Sequence, residues 1–220
     1  MGAQRRRRGP RIEALALPPL DEADAGDLLP GARLEAVRID GGRVRGDLTA
    51  LVLDDCAIAD LEADDAVLDR SRILGTRLER VAAAALRAAR STWRDVELQG
   101  SRIGAAELFD ADWTRVDVVG CRIDYLNLSG ATLQDVRFTD CVLGDLDLRA
   151  ATVTRLAVPG CRIGTLSVSG ATLADADLRG ADVERVDGAE HLRGAIVDGM
   201  QLERLAPLLA AAIGLVVQDA

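Results

Sequence analysis

Apolar residues recur at every fifth position through most of the chain. From Leu98 to Val183, each fifth residue is Leu, Ile, Val, Trp or Phe, and none is polar. A second series lies two positions earlier, from Val96 to Ala181, and all its members are small or aliphatic. Neither the period of an α-helix nor the alternation of a simple strand keeps such a register. The pattern predicts a chain that turns a corner every five residues and directs two residues of each five inward.

A longer period is superimposed on the first, because segments align in rows of 20 residues. Cys121-Arg122-Ile123 falls in the same column as Cys161-Arg162-Ile163, and Gly130-Ala131-Thr132-Leu133 aligns with Gly170-Ala171-Thr172-Leu173. Four five-residue segments therefore make one square turn. Residues 46–187 predict about seven such turns, stacked as neighbouring parallel strands.

These segments resemble the pentapeptide-repeat family, whose consensus is a small residue, Asp or Asn, Leu and two variable residues. The match is most literal in Ala176-Asp177-Leu178-Arg179-Gly180, Ala131-Thr132-Leu133 and Ala181-Asp182-Val183, and it extends loosely over residues 46–187. The resemblance implies an all-β fold, a right-handed quadrilateral parallel β-helix, which we expect over residues 34–187.

One segment departs from the pattern locally. Residues 81–90 contain four consecutive alanines, a composition that favours a helix. The five-residue frame continues on both sides, so we expect this segment to keep the solenoid register. Trp93 and Trp113 lie one turn apart in one inward column, and we interpret them as core residues that fill space left by alanines.

The C-terminal segment, residues 188–220, predicts a helical cap over the last turn. Asp198 and Gln201 have capping-box spacing, and a second helical turn is expected to restart at Ala206-Pro207 and end at Gly214. Family members that target DNA gyrase dimerise through such an element, so the resemblance implies a possible homodimer. A monomer with a purely structural cap is the alternative. The candidate cap and dimer residues are Met200, Leu202, Leu205, Leu208 and Leu209.

The N-terminal arm, residues 1–33, is rich in Pro, Arg, Asp and Glu and has no sustained repeat. We expect disorder from residue 1 to about residue 10. The basic run from Arg5 to Arg8 could contact nucleic acid or acidic lipid, but a solvated tail is the simpler interpretation. Direct nucleic-acid binding is not expected.

Composition limits the class of protein. Hydrophobic residues make up 49% of the chain and aromatic residues 2%, which indicates a folded core of aliphatic side chains. All 27 basic residues are Arg, which is typical of a GC-rich bacterial genome of the actinobacterial kind. Without a recognisable signal peptide or membrane anchor, we expect a cytoplasmic protein whose cysteines are reduced.

Negative charge is concentrated in the repeats. Residues 46–187 contain 16 Arg and 25 Asp or Glu, a balance equal to the net charge of −9 of the whole chain. No basic residue occurs between positions 46 and 69, which predicts an acidic interaction surface at this end. Its candidate residues are Asp54, Asp55, Asp60, Glu62, Asp64 and Asp65. A second outward column, Asp95, Arg115, Asp135, Arg155 and Asp175, alternates in sign and predicts ion pairs between neighbouring turns.

The sequence contains no recognisable catalytic, cofactor or metal site. His191 is the single histidine, so triads and paired-His sites are not available. Cys121, Cys141 and Cys161 share one inward column, where we interpret them as small core residues. The prediction is a non-catalytic scaffold that binds an unknown protein partner. The alternative is a DNA-mimicking protein that binds a topoisomerase, specifically gyrase, as in quinolone resistance, and the charge ladder argues against it.

Overall fold

A computed structural model describes residues 9–212, 214 and 215. These residues form short parallel strands, two 3₁₀ helices (Ala25–Asp27 and Ala189–His191) and one α-helix, α1 (Gly199–Ala212). The strands, in chain order, are β1 (Asp21–Ala23), β2 (Arg33–Glu35), β3 (Val37–Asp40), β4 (Gly46–Asp47), β5 (Val52–Asp54), β6 (Ala57–Ala59), β7 (Ala66–Val67), β8 (Arg72–Leu74), β9 (Arg77–Glu79), β10 (Ala82–Arg87), β11 (Thr92–Gln99), β12 (Arg102–Glu107), β13 (Asp112–Val119), β14 (Arg122–Asn127), β15 (Thr132–Thr139), β16 (Val142–Asp147), β17 (Thr152–Ala157), β18 (Arg162–Ser167), β19 (Thr172–Asp177), β20 (Asp182–Asp187) and β21 (Ala195–Ile196).

The strands stack into two parallel sheets that run the length of the molecule. The large sheet has the order β1-β3-β6-β9-β11-β13-β15-β17-β19-β21, and β2, β5 and β8 join it at β11. The small sheet has the order β20-β18-β16-β14-β12-β10-β7-β4. Over most of this length, residues that face each other on neighbouring strands are 20 positions apart in the chain, as in Trp93 opposite Trp113 and Ile103 opposite Ile123. The predicted square solenoid with a C-terminal helix is confirmed, and its right-handed sense stays a prediction.

The solenoid has about nine turns, where the repeat frame predicted about seven. The additional turns lie at the ends and are shorter than the regular ones. Asp21 pairs with Val37, Arg38 with Ala57, and Ala176 with Ala195. A search for one strict period misses such turns, although their backbones still hydrogen-bond to the regular stack.

The interior is filled by the two inward series. Members of the first series are buried from Leu98 to Leu178, and members of the second from Val96 to Ala181. Val183 is the exception: it is half-buried, because it lies at the open end of the last turn. The predicted register is therefore correct along the regular part of the rod.

Residues 81–90 keep the frame, as predicted. They contain β10, which pairs with β7 on one side and with β12 on the other. Alanines are tolerated here because strand position is set by hydrogen bonds to adjacent turns rather than by local helix propensity.

The two tryptophans are core residues, as predicted. Their ring centroids are 5.4 Å apart, and Trp113 also stacks on Phe138. Trp93 donates its indole N–H to the Ser91 hydroxyl at 2.9 Å. The equivalent residue two positions before Trp113 is Ala111, and the buried Trp113 Nε1 has no hydrogen-bond partner among the described residues.

The C-terminal cap forms a single helix. Asp198 and Gln201 exchange hydrogen bonds in the predicted capping box, at 3.0 and 2.9 Å. Gln201 also donates to the Leu178 and Ala181 carbonyls, at 2.6 and 2.8 Å, and so anchors α1 to the last turn. The predicted restart at Ala206-Pro207 is wrong: α1 runs through Pro207, with Leu205 and Leu209 on either side packed against the core.

The N-terminal arm is irregular only in part. Residues 9–20 lie on the surface of the rod without regular secondary structure, and the chain enters the stack at β1. Most of the segment predicted to be disordered, with the run from Arg5 to Arg8, lies outside the described residues. Within the described residues, no helix has the length and apolar character needed to cross a membrane.

The unpaired indole of Trp113 generates a stability prediction. Ala111→Ser should place a hydroxyl beside Trp113 Nε1, as Ser91 does for Trp93, and raise the free energy of unfolding by about 1 kcal/mol. Ala131→Ser, in an adjacent turn without an indole, is the matched control and should be neutral or destabilising. Urea denaturation followed by circular dichroism measures both. Equal effects of the two substitutions would contradict the prediction.

Candidate interaction surfaces

The six residues of the predicted acidic surface do not form one patch. Asp54 ends β5 in the large sheet, whereas Glu62 forms a bridge to Ala82 at the start of β10 in the small sheet. Asp60 lies at the corner between them. The square turn therefore distributes these residues over different sides of the rod, because two five-residue segments along the chain correspond to half a turn.

Arginines from neighbouring turns neutralise most of this surface. Asp54 pairs with Arg33, Asp60 with Arg80, Glu62 with Arg43 and Asp64 with Arg45. The bidentate guanidinium of Arg80 lowers the pKa of Asp60 below its ordinary value. Among the described residues, Asp55 and Asp65 have no ion pair. The sequence window from 46 to 69 contained no Arg, but stacking brings Arg residues in from both sides.

The alternating charge column, which we call the charge ladder, forms two ion pairs, and Asp175 has none among the described residues. Arg115 forms a bidentate pair with Asp95, and Arg155 pairs with Asp135 through two bonds of 2.5 and 2.6 Å. All four residues adopt the left-handed backbone conformation, with φ between 55° and 59°, which is costly for a residue with a side chain. Their ion pairs tie the corners of successive turns together and offset part of this cost.

Asp135 is the most enclosed member of the ladder. Its side chain is only 5% exposed, and besides Arg155 it accepts a hydrogen bond from the Arg11 backbone N–H at 2.9 Å. Arg155 and then Arg11 hold the pKa of Asp135 below its ordinary value, even though burial opposes ionisation. The N-terminal arm thus closes over a buried carboxylate.

The cysteine column is packed as core. Cys121, Cys141 and Cys161 are buried, and each thiol lies within hydrogen-bond distance of backbone carbonyls. Contact with the Cys141 thiol and burial both raise the pKa of Cys121 and of Cys161. The raised pKa makes Cys121 and Cys161 poor nucleophiles and poor metal ligands. His191 contacts only Glu190 among charged groups of the described chain, at 3.3 Å.

An apolar cleft lies between α1 and the last turn. It has a volume of about 450 Å³ and is lined by Leu178, Val183, Val186, Val197, Leu205 and Leu208, among others. Arg204 bridges its rim to Asp182 at 2.6 Å. The cleft lies between α1 and β20, and no described strand pairs with the outer edge of β20. We call α1 and this cleft the cap surface.

The sequence analysis did not separate the cap residues that pack on the core from those that are exposed. Leu205 and Leu209 are half-buried and pack on the core, so they close the end of the solenoid. Met200, Leu202 and Leu208 are 76%, 50% and 42% exposed, so they are available for contacts. Helical spacing could have separated Gln201, Leu205 and Leu209 as one face.

The five-residue corners, the pairing of equivalent residues in successive turns and the buried columns together define the architecture. The chain is a parallel β-solenoid built from five-residue segments. No model of a known protein family matches this sequence, and no curated protein matches it.

The β-solenoid is similar to solved structures of low sequence identity. Full-length QnrB1, a plasmid-mediated fluoroquinolone resistance protein, is 14% identical, with 86% of this chain and 94% of QnrB1 covered and a TM-score of 0.26. HetL, a pentapeptide repeat protein involved in heterocyst differentiation regulation from the cyanobacterium Nostoc, is 18% identical, with 76% and 90% covered and a TM-score of 0.25. Overlays this loose carry no functional argument, so the assignment rests on the chain's own register.

The enclosed ion pair predicts a pH-dependent contribution to stability. Asp135→Asn should lower the free energy of unfolding by about 1–3 kcal/mol near neutral pH, because Arg155 loses its charged partner in an enclosed site. The folded-state pKa of Asp135 is depressed, so its stabilisation is present above the unfolded pKa of about 4 and is lost as the pH falls through the folded value. The difference between wild type and variant should therefore shrink in acid.

Asp110→Asn is the matched control for this substitution. Asp110 also occupies a left-handed corner and faces an arginine, Arg90, but at 3.8 Å and with 54% of its side chain exposed. Exposed pairs of this kind contribute little. Urea denaturation of both variants over a pH series measures the effect, and a similar loss in both would show that enclosure of Asp135 is irrelevant.

Proposed function

We propose that the chain is a non-catalytic scaffold that binds protein through its cap surface, and that a second copy of the chain is one such partner. One observation carries the proposal. Of the five large apolar side chains that are exposed among the described residues, four lie at the C-terminal end: Met200, Leu202, Leu208 and Leu215. Contiguous exposed apolar patches mark interaction sites in soluble proteins, and we propose that these side chains contribute to one.

The open edge of the solenoid also favours the cap surface as the binding site. The described part of β20 pairs with β18 on one side only, so its outer backbone edge is available beside the apolar cleft. Unpaired strand edges favour association unless they are covered. Charged side chains on β20 restrict which chains can approach, since Asp182, Glu184 and Asp187 lie along it.

The environment of the surface carboxylates favours a scaffold function over an enzymatic one. Four carboxylates in the described chain have a lowered pKa. An Arg partner lowers it in Asp60, Asp135 and Asp177, and hydrogen bonds from Thr49 lower it in Asp47, so none lies in an apolar pocket that would prepare a general acid. Each is held in its ionised form by a partner already present. These groups stabilise the stack of turns and are poorly suited to proton transfer.

The pairing pattern also favours the scaffold over the DNA-mimic alternative. A mimic of duplex DNA needs continuous, uncompensated negative charge. In the described rod, Asp95, Asp117 and Asp135 are each paired with an arginine of the next turn. Compensated columns of this kind give a weak and interrupted negative potential, so binding to a topoisomerase by imitation of DNA is the less supported candidate.

Self-association through the cap is directly testable. We expect the full chain to dimerise in the micromolar range, and Leu202→Glu with Leu208→Glu to raise the dimer dissociation constant at least tenfold, which corresponds to about 1.4 kcal/mol. Sedimentation velocity over a concentration series measures this constant.

The matched control is Ala206→Glu with Ala211→Glu, which adds the same charge to exposed positions of α1 without removing large apolar side chains. It should affect dimerisation less. A wild-type chain that remains monomeric at 100-fold higher concentration, or a control as disruptive as the leucine variant, would contradict a cap-mediated dimer.

A further inference from the structure

The described N-terminal arm, residues 9–20, runs along the rod across several turns. Arg11 contacts Asp135, and Leu15 contacts both Glu97 and Arg77, although these partners are between 62 and 124 residues away in the chain. Because successive turns are stacked along the rod axis, the arm crosses the turns from that of Asp135 to that of Arg77 and then enters the stack at β1. It lies roughly along the rod axis, at right angles to the strands.

The polar contacts to the arm are made to its backbone. Asp135 Oδ1 accepts from the Arg11 N–H at 2.9 Å, and Glu97 Oε1 accepts from the Leu15 N–H at 3.0 Å. The Arg77 guanidinium donates to the Leu15 carbonyl at 3.3 Å. Such contacts do not depend on the identity of the bound residues. An extended chain with the same spacing of donors and acceptors satisfies them equally well.

Side chains of the arm add selectivity. Ile12, Leu15 and Leu17 are half-buried, whereas the intervening Ala14 and Ala16 are exposed. Leu17 lines a hollow of about 180 Å³ together with Ala57 and Ala59. The pattern therefore accepts apolar side chains at defined positions and leaves others in solvent.

A carboxylate of the arm lies near the charge ladder. The negative charge of Glu13 helps to raise the pKa of Arg115, after the larger effect of Asp95. Pro10, Ile12 and Glu13 line a hollow of about 530 Å³ together with ladder residues, including Arg115 and Arg155. This hollow is only partly filled by the arm, so the groove has room for larger side chains than the arm supplies.

We propose that the groove formed by Arg77, Glu97, Arg115, Asp135 and Arg155 is a binding site for an extended peptide segment of a partner protein, and that the arm occupies it in cis. The partner peptide should have the same chemical pattern as the arm. It should carry apolar residues at the positions of Ile12, Leu15 and Leu17 and a carboxylate at the position of Glu13. This inference goes beyond the proposed cap function, since α1 contributes nothing to the groove.

Tethering makes the arm a competitor of any partner. A segment joined to β1 is present at an effective concentration of the order of millimolar. A partner peptide of equal intrinsic affinity is therefore excluded at ordinary concentrations. A partner with larger side chains in the ladder hollow displaces the arm, which then exposes the groove along several turns.

The test uses the full-length chain and a fluorescein-labelled peptide with the sequence of residues 9–20. Ile12→Asp with Leu17→Asp should release the arm, because two half-buried apolar side chains become charged. Ala14→Asp with Ala16→Asp adds the same charge at exposed positions and should leave the arm bound. Fluorescence anisotropy should give saturable binding to the released variant, and binding at least about tenfold weaker to the wild type and to the control.

The groove itself is tested in the released variant. Adding Glu97→Ala removes the acceptor for the Leu15 N–H and should weaken peptide binding, whereas adding Leu202→Glu and Leu208→Glu in the cap should not. Equal peptide binding by the released variant, the control and the wild type would overturn the proposal, as would a failure of the correctly folded released variant to bind.

A second measurement applies if the released variant does not fold. In the intact wild-type chain, millimolar unlabelled peptide should increase deuterium uptake by residues 9–20, because the peptide displaces the arm from the groove. Unchanged uptake at saturating peptide would overturn the proposal independently of any substitution.

Discussion

Backbone hydrogen bonds between successive turns are the interaction on which the rest of the structure depends. The Arg122 N–H donates to the Ser101 carbonyl at 2.9 Å. Two turns further along the rod, the Arg162 N–H donates to the Cys141 carbonyl in the same way. In the regular part of the rod, such bonds keep one register because they require every turn to advance by the same number of residues. That requirement places equivalent residues in columns, inside and outside the rod. The inward columns must then be matched in size and the outward columns in charge.

Matching of charge between turns gives many carboxylates of this acidic chain an arginine partner. Asp135 with Arg155 and Asp117 with Arg137 each join residues one turn apart. Pairing of this kind uses the sides of the rod to stabilise register, which leaves two places suited to partners. One is the cap surface, where stacking stops. The other is the groove under the N-terminal arm, where the ladder accepts backbone groups of an extended chain.

Sequence periodicity predicted the fold, the inward columns and the charge ladder, because each depends on the register alone. It failed where the register changes: the shortened turns at the N-terminal end, which pair Asp21 with Val37, were not recognised. The acidic surface was predicted from charges counted along the chain, which cannot show that Arg33 and Arg80 reach it from other turns, and its role in binding stays a prediction. The docked arm was missed altogether, since its contacts span up to 124 residues and leave no period.

We infer that one register arranges both the core and the outer charge ladder that binds the arm. Amide hydrogen exchange of the full-length wild-type chain, resolved by residue with NMR, tests it most directly. The Arg11 and Leu15 amides should exchange at least about tenfold more slowly than in the isolated peptide, because each is bonded to an enclosed carboxylate. Neighbouring exposed amides, such as that of Ala14, should be less protected. Exchange of Arg11 and Leu15 at the rate of the free peptide would contradict the account.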